Sequence, residues 1–145
     1  MLTFKMYMES EEDDNIKDTL DKLPKNHSDL VRGYRFTLKG GNTLPGDDDH
    51  IGYMDDHKKH IAVAAPWNYG REFTMLHEIG HRVWEKLIPD ELKDQWKEIV
   101  ARTKNKQKQS AEELFCMAYA NYYAKHKMVI HDHPEWNKFI KGLPK

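Results

Sequence analysis

His77-Glu78-Ile79-Gly80-His81 is the stretch on which this chain turns. It lies in a run from about Arg71 to Leu87 where Phe73, Leu76, Gly80, Val83, Trp84 and Leu87 recur at helical spacing. The spacing predicts one amphipathic helix with His77, Glu78 and His81 flanking its apolar face. Positions four apart on a helix lie one turn above each other, so both imidazoles can reach one ion. Glu78 stands about a quarter turn round, where a carboxylate can take a proton from water held by that ion. A pattern with two free positions also arises by chance, so the rest of the chain must supply a third donor. Gly80 costs about 1 kcal/mol relative to alanine in a helix interior. Close approach of a second element would compensate.

That second element is expected after Ser110. Leu114 to Ala124 carries no charge, which predicts a helix buried on nearly every side. Glu112 and Glu113 stand at its entrance. Projected at about 100° per residue, Glu113 shares a face with Met117, Ala120 and Ala124, and the two alanines would let this helix lie against Gly80. A carboxylate on a face that buries itself is costly unless paired, and a divalent cation is one such partner. The competing reading is a capping box, Ser110-Ala-Glu-Glu113, in which Glu113 only reaches back to the Ser110 amide. Taken alone the two readings weigh the same. With the upstream histidines, Glu113 is the preferred third ligand and Glu112 the fallback.

The remaining chain predicts an α+β architecture in one domain, 1–145, with a sheet-bearing part over 1–70 and a helical part over 71–145. Leu2, Phe4, Met6 and Met8 alternate as a strand, and Ile16, Leu20 and Leu23 have helical spacing before Pro24. A short helical piece is expected over His27 to Val31 and a strand over Tyr34 to Leu38. Ile51–Met54 and His60–Ala65 form a hairpin around the polar turn Asp55–Lys59. His57 and His60 read as turn and strand-surface residues. Asp47–Asp49 with His50 lacks calcium-loop spacing and reads as a solvated loop. A helix follows Pro89 with Leu92, Trp96, Ile99 and Val100 on one side, then an exposed basic stretch to Gln109. Trp136, Phe139 and Ile140 close the chain on a short helix.

The 145 residues carry 23 Lys+Arg against 24 Asp+Glu, a balance that argues against nucleic-acid or anionic-membrane partners. Cys116 is the only cysteine, which excludes an internal disulfide. With no visible signal peptide and no long apolar run, the expected location is cytoplasmic, although a secreted chain trimmed of its leader would read the same. Oligomeric state is left open.

His77-Glu-Ile-Gly-His81 followed by a distant glutamate on a second helix resembles the gluzincin zinc metallopeptidases, and most closely the small lethal-factor-like and Pro-Pro endopeptidase group. Glu113-Leu-Phe-Cys-Met-Ala-Tyr119 is similar to that group's glutamate helix, and His133-Pro-Glu-Trp-Asn-Lys-Phe-Ile140 to its closing helix. The resemblance implies a zincin-like fold: a small mixed sheet with an edge-strand hairpin, packed on the HExxH helix, and a C-terminal helical part. It implies Zn2+ held by His77, His81 and Glu113, Glu78 as general base and acid, and a peptide or protein substrate. It makes His60–Ala65 the sheet edge that pairs with an extended substrate.

Two positions depart from the group. Its oxyanion tyrosine, seven residues before the ligand glutamate, is replaced by Lys106; a lysine, Tyr69, Tyr122 or Tyr123 are the substitutes. Its second acid, four residues after the ligand, is replaced by Met117, with Asn121 the nearest polar substitute. Losing an oxyanion donor typically costs ~10²–10³ in rate, so activity would be weakened rather than abolished. Two other readings stand beside this one. The first is an ImmA/IrrE-type repressor-cleaving peptidase. The second is a non-catalytic interaction protein that zinc holds together.

Overall fold

A computed structural model describes residues 16–39, 52–55, 57–64, 70–103, 109–125, 127 and 132–145. The strand expected over residues 2–8, the acidic loop at 47–50 and most of the basic stretch after Arg102 lie outside them. The architecture is α+β and mostly helical. In chain order it runs α1 (16–21), α2 (Lys25–Asp29), β1 (Arg35–Lys39), β2 (Gly52–Asp55), β3 (His60–Ala64), α3 (Gly70–Leu87), α4 (Asp90–Arg102), α5 (Ala111–Tyr123) and α6 (Pro134–Lys141).

The expected hairpin forms. β2 and β3 pair antiparallel, Tyr53 opposite Ala62 and Met54 opposite Ile61. Its turn is built by Asp55, whose Oδ1 accepts the Lys58 amide at 3.0 Å, and by Lys59 at a φ of 51°. Such side-chain capture of a nearby amide is how aspartate opens a turn. β1 pairs parallel with β3, Phe36 opposite Ile61, giving the strand order β1-β3-β2. The sheet is therefore mixed, as expected, but β3 is its central strand. The edge role expected for His60–Ala65 is thus incorrect, because the backbone of β3 is hydrogen bonded on both sides. His60 is tied to β1, its Nε2 lying 2.7 Å from the Thr37 hydroxyl.

Helix α3 packs under β2 and β3 on one side and along α5 on the other. It therefore buries more than a single stripe: Leu76, Ile79 and Val83 are fully buried, and Phe73, Met75 and Trp84 nearly so. Helix α5 buries Leu114, Phe115, Cys116, Ala118, Tyr119, Ala120 and Asn121, as its uncharged sequence predicts. Gly80 faces Cys116 rather than Ala120 or Ala124: a β-carbon on Gly80 would stand 3.2 Å from the Cys116 Cα. An aromatic cluster joins the later helices. Trp96 of α4 meets Phe115 edge-on and Trp136 and Phe139 at a tilt, at centroid separations of 5.9, 5.5 and 5.1 Å.

His27 of α2, fully buried, ties two distant elements together. Its Nε2 donates to the Pro144 carbonyl at 2.7 Å, and a carbonyl can only accept. Its Nδ1 therefore accepts from the Tyr119 hydroxyl at 2.9 Å. Among the described residues, no helix is long and apolar enough to cross a membrane.

Candidate metal centre

Helix α3 presents His77 and His81 one turn apart, with ring centroids 5.1 Å from each other. Helix α5 brings its first turn against them. His77 Nε2 lies 3.1 Å from Glu113 Oε2, and His81 Nε2 lies 3.1 Å from Glu113 Oε1. One carboxylate thus faces the Nε2 atoms of both histidines. Donors bound at about 2.0–2.1 Å around a tetrahedral zinc stand about 3.3 Å apart, close to each of these two nitrogen–oxygen separations, which run to different oxygens of the one carboxylate. Two imidazole nitrogens and a carboxylate oxygen are also the donor chemistry zinc accepts.

The local sequence explains how Glu113 gets there. Ser110 caps α5 by accepting the Glu113 amide on its Oγ at 3.2 Å. The backbone half of the capping box is therefore made, while the Glu113 side chain turns to the histidines. Trp96 fixes the same turn from α4, its Nε1–H donating to the Ala111 carbonyl at 2.7 Å.

Electrostatics follow from this geometry. Hydrogen bonding to His77 and then to His81 holds the Glu113 carboxyl far below its ordinary range, against burial, which acts the other way. Burial pulls His81 down, but the Glu113 and Glu112 carboxylates on its ring, with Glu78 nearby, outweigh it and raise it to about 9. Glu78 is half-buried and close enough for its charge to act on both His81 and Cys116.

Glu112 does not share the Nε2 side with Glu113. Its Oε2 takes His81 Nδ1 at 2.7 Å, on the opposite edge of the ring. The sequence held Glu112 only as a fallback ligand and named Asn121 as substitute for the acid missing at Met117. The signal for its actual place was the pair of consecutive carboxylates, which project about 100° apart and so cannot serve one nitrogen.

Cys116 is a further candidate donor that the sequence motif does not mark. The Cys116 sulfur and one nitrogen from each of His77 and His81 lie within 4.8 Å of one another. Of the two candidates, Glu113 is the better third donor: it is half-exposed and held ionised. Cys116 is fully buried, and burial, with Glu113, Glu112 and Glu78 around it, pushes its thiol well above the usual range.

The oxyanion substitutes fare less well. Tyr122 and Tyr123 sit at the far end of α5, about 13–15 Å along the helix from Glu113 at 1.5 Å per residue. That distance exceeds the reach of a tyrosine, so neither serves the site. Tyr69 and Lys106 lie outside the described residues. Comparison with family models, with curated proteins and with solved structures finds no match.

Proposed function

We propose that this chain is a zinc-dependent endopeptidase with a zincin-like fold. The observation that carries the reading is the Glu113 carboxylate facing the Nε2 atoms of both His77 and His81 at 3.1 Å. His77, His81 and Glu113 would hold the ion, which when bound polarises a carbonyl and lowers the pKa of water beside it. Glu78, on the same helix face as the histidines, accepts the proton of the attacking water and returns it to the leaving amine. An extended peptide cannot pair with β3, whose two sides are already taken, so a substrate would be held by other parts of the chain.

The test has two arms. Metal-free protein given one equivalent of zinc should retain it stoichiometrically, and His77→Ala, His81→Ala and Glu113→Ala should each lose it. Zinc-loaded wild type should cleave members of a diverse peptide library, and Glu78→Gln should keep its zinc while losing at least ~10² in rate. Failure to hold zinc ends the proposal.

Cys116 favours a second reading, a non-catalytic zinc site. With a thiolate as fourth protein donor the site would be closed, the usual arrangement for structural zinc. Cobalt substitution separates the two. Thiolate-to-cobalt charge-transfer absorption that disappears in Cys116→Ser supports the closed site, and its absence in wild type supports the open one.

A further inference from the structure

We propose that Glu112 is a positioning residue for His81, holding the imidazole in the tautomer and orientation that frees Nε2 for a metal ion. The inference rests on the zinc reading of the site and adds a residue to it. Glu112 and Glu113 are neighbours at the start of α5, and they take opposite edges of one ring. Glu113 Oε1 lies 3.1 Å from His81 Nε2, and Glu112 Oε2 lies 2.7 Å from Nδ1. A carboxylate has no proton to give here, so the hydrogen in the shorter contact belongs to Nδ1. A neutral imidazole carries one such hydrogen. Without an ion the Glu113 carboxylate calls for a hydrogen on Nε2 as well; an ion there would displace that hydrogen while Glu112 keeps the one on Nδ1, leaving the Nε2 lone pair aimed at the space that His77 and Glu113 also face. A carboxylate on the outer nitrogen of a ligand histidine fixes its ring and raises its basicity.

The place of this acid in the chain is unusual for the resemblance drawn above. The helix position that would carry it is Met117, an apolar residue four places after Glu113. Here the acid precedes the ligand by one residue, so the first turn of α5 supplies both the ligand and its support. Glu112 is also 45% exposed, on the outer side of His81. The pair is part-buried, so the urea midpoint of each metal-free variant is measured beside its zinc affinity to separate the site from the fold.

The experiment measures zinc affinity of the full chain by competition with a chromophoric chelator, for wild type, Glu112→Gln, Glu112→Ala and Glu113→Ala. Glu112→Ala should bind zinc stoichiometrically but ~10–100-fold more weakly. Glu112→Gln keeps an oxygen that can accept from Nδ1, so it should recover part of that loss. Nitrogen-15 spectra of zinc-loaded wild type should show His81 protonated at Nδ1. If Glu112→Ala binds as tightly as wild type, the inference is overturned while the zinc site stands. If Glu112→Ala loses stoichiometric binding as Glu113→Ala does, Glu112 is itself a ligand and the positioning role is wrong. If wild type takes up no zinc, the underlying reading falls and this inference with it.

Discussion

Gly80 of α3 lies against Cys116 of α5 so closely that any β-carbon at position 80 meets backbone, 3.2 Å from the Cys116 Cα. A backbone atom in a buried helix cannot rotate aside. Gly80→Val should therefore destabilise the protein by about 1–3 kcal/mol through overpacking. It should also weaken zinc retention, because the helix that must move carries Glu113. Cys116→Ala should not rescue it, since the Cα remains. Urea midpoints of the single and double variants check this. An unchanged midpoint in Gly80→Val would mean the helices are not held at that distance.

Trp96 does two jobs that substitution can separate. Its ring fills the space between Phe115, Trp136 and Phe139, and its Nε1–H satisfies the Ala111 carbonyl. Trp96→Ala loses both and should cost about 3–5 kcal/mol. Trp96→Phe keeps most of the packing and loses one hydrogen bond to a carbonyl that the α5 ladder also engages, for about 0.5–1.5 kcal/mol. Chemical denaturation should rank them in that order, and equal losses would show that the hydrogen bond is immaterial.

Stability should fall below neutral pH because of His27. Burial, first of all, lowers this imidazole below its ordinary 6.5, the Lys145 charge adding to it and the Pro144 hydrogen bond opposing. Between the lowered folded value and 6.5 the unfolded chain binds the extra proton, so stability rises with pH there. The contribution is complete above 6.5 and is lost as pH falls from 6.5 through the folded value. His27→Gln should be less stable at pH 7.5 and should flatten this slope. The difference between wild type and His27→Gln in urea, followed from pH 7.5 down to 5, isolates it.

Zinc should change both stability and proton balance. An ion that binds only the folded chain adds about 2.7 kcal/mol at one hundred times its Kd. For a domain of this size that is roughly 5–10 °C in Tm, lost again with chelator. In the metal-free protein His81 is raised from 6.5 to about 9, so its stabilising contribution is full below 6.5 and fades as pH rises through 9. At pH 7.5 it carries a proton that zinc at Nε2 must displace. Titration calorimetry in buffers of different ionisation enthalpy should report about one proton released per zinc at that pH. No buffer dependence would contradict the imidazolium.

Local relationships are legible in this sequence and non-local ones less so. The hairpin was legible because Asp55 to Lys59 is a turn by composition and the flanking apolar residues alternate. That β3 would also accept β1 was not, since parallel partners are joined through intervening chain and leave no mark at the turn. The same division runs through the site. His77, Glu78 and His81 are fixed by spacing on one helix. Glu113 needed the uncharged run after it. Which nitrogen each of Glu112 and Glu113 takes depends on how α5 crosses α3. The sequence points to Ala120 and Ala124 as the partners of Gly80, and tertiary packing sets Cys116 there instead.

Ser110 and Trp96 hold the first turn of α5 from outside the helix, one through the Glu113 amide and the other through the Ala111 carbonyl. Ordering a residue's backbone costs about 1–2 kcal/mol, and here that cost is met during folding. A cation arriving between His77, His81 and Glu113 has only side-chain rotations left to arrest. Its affinity is then set by donor chemistry rather than by the entropy of assembling a loop, so variants at Ser110, which touches no metal donor atom, should weaken binding mainly through an unfavourable entropy.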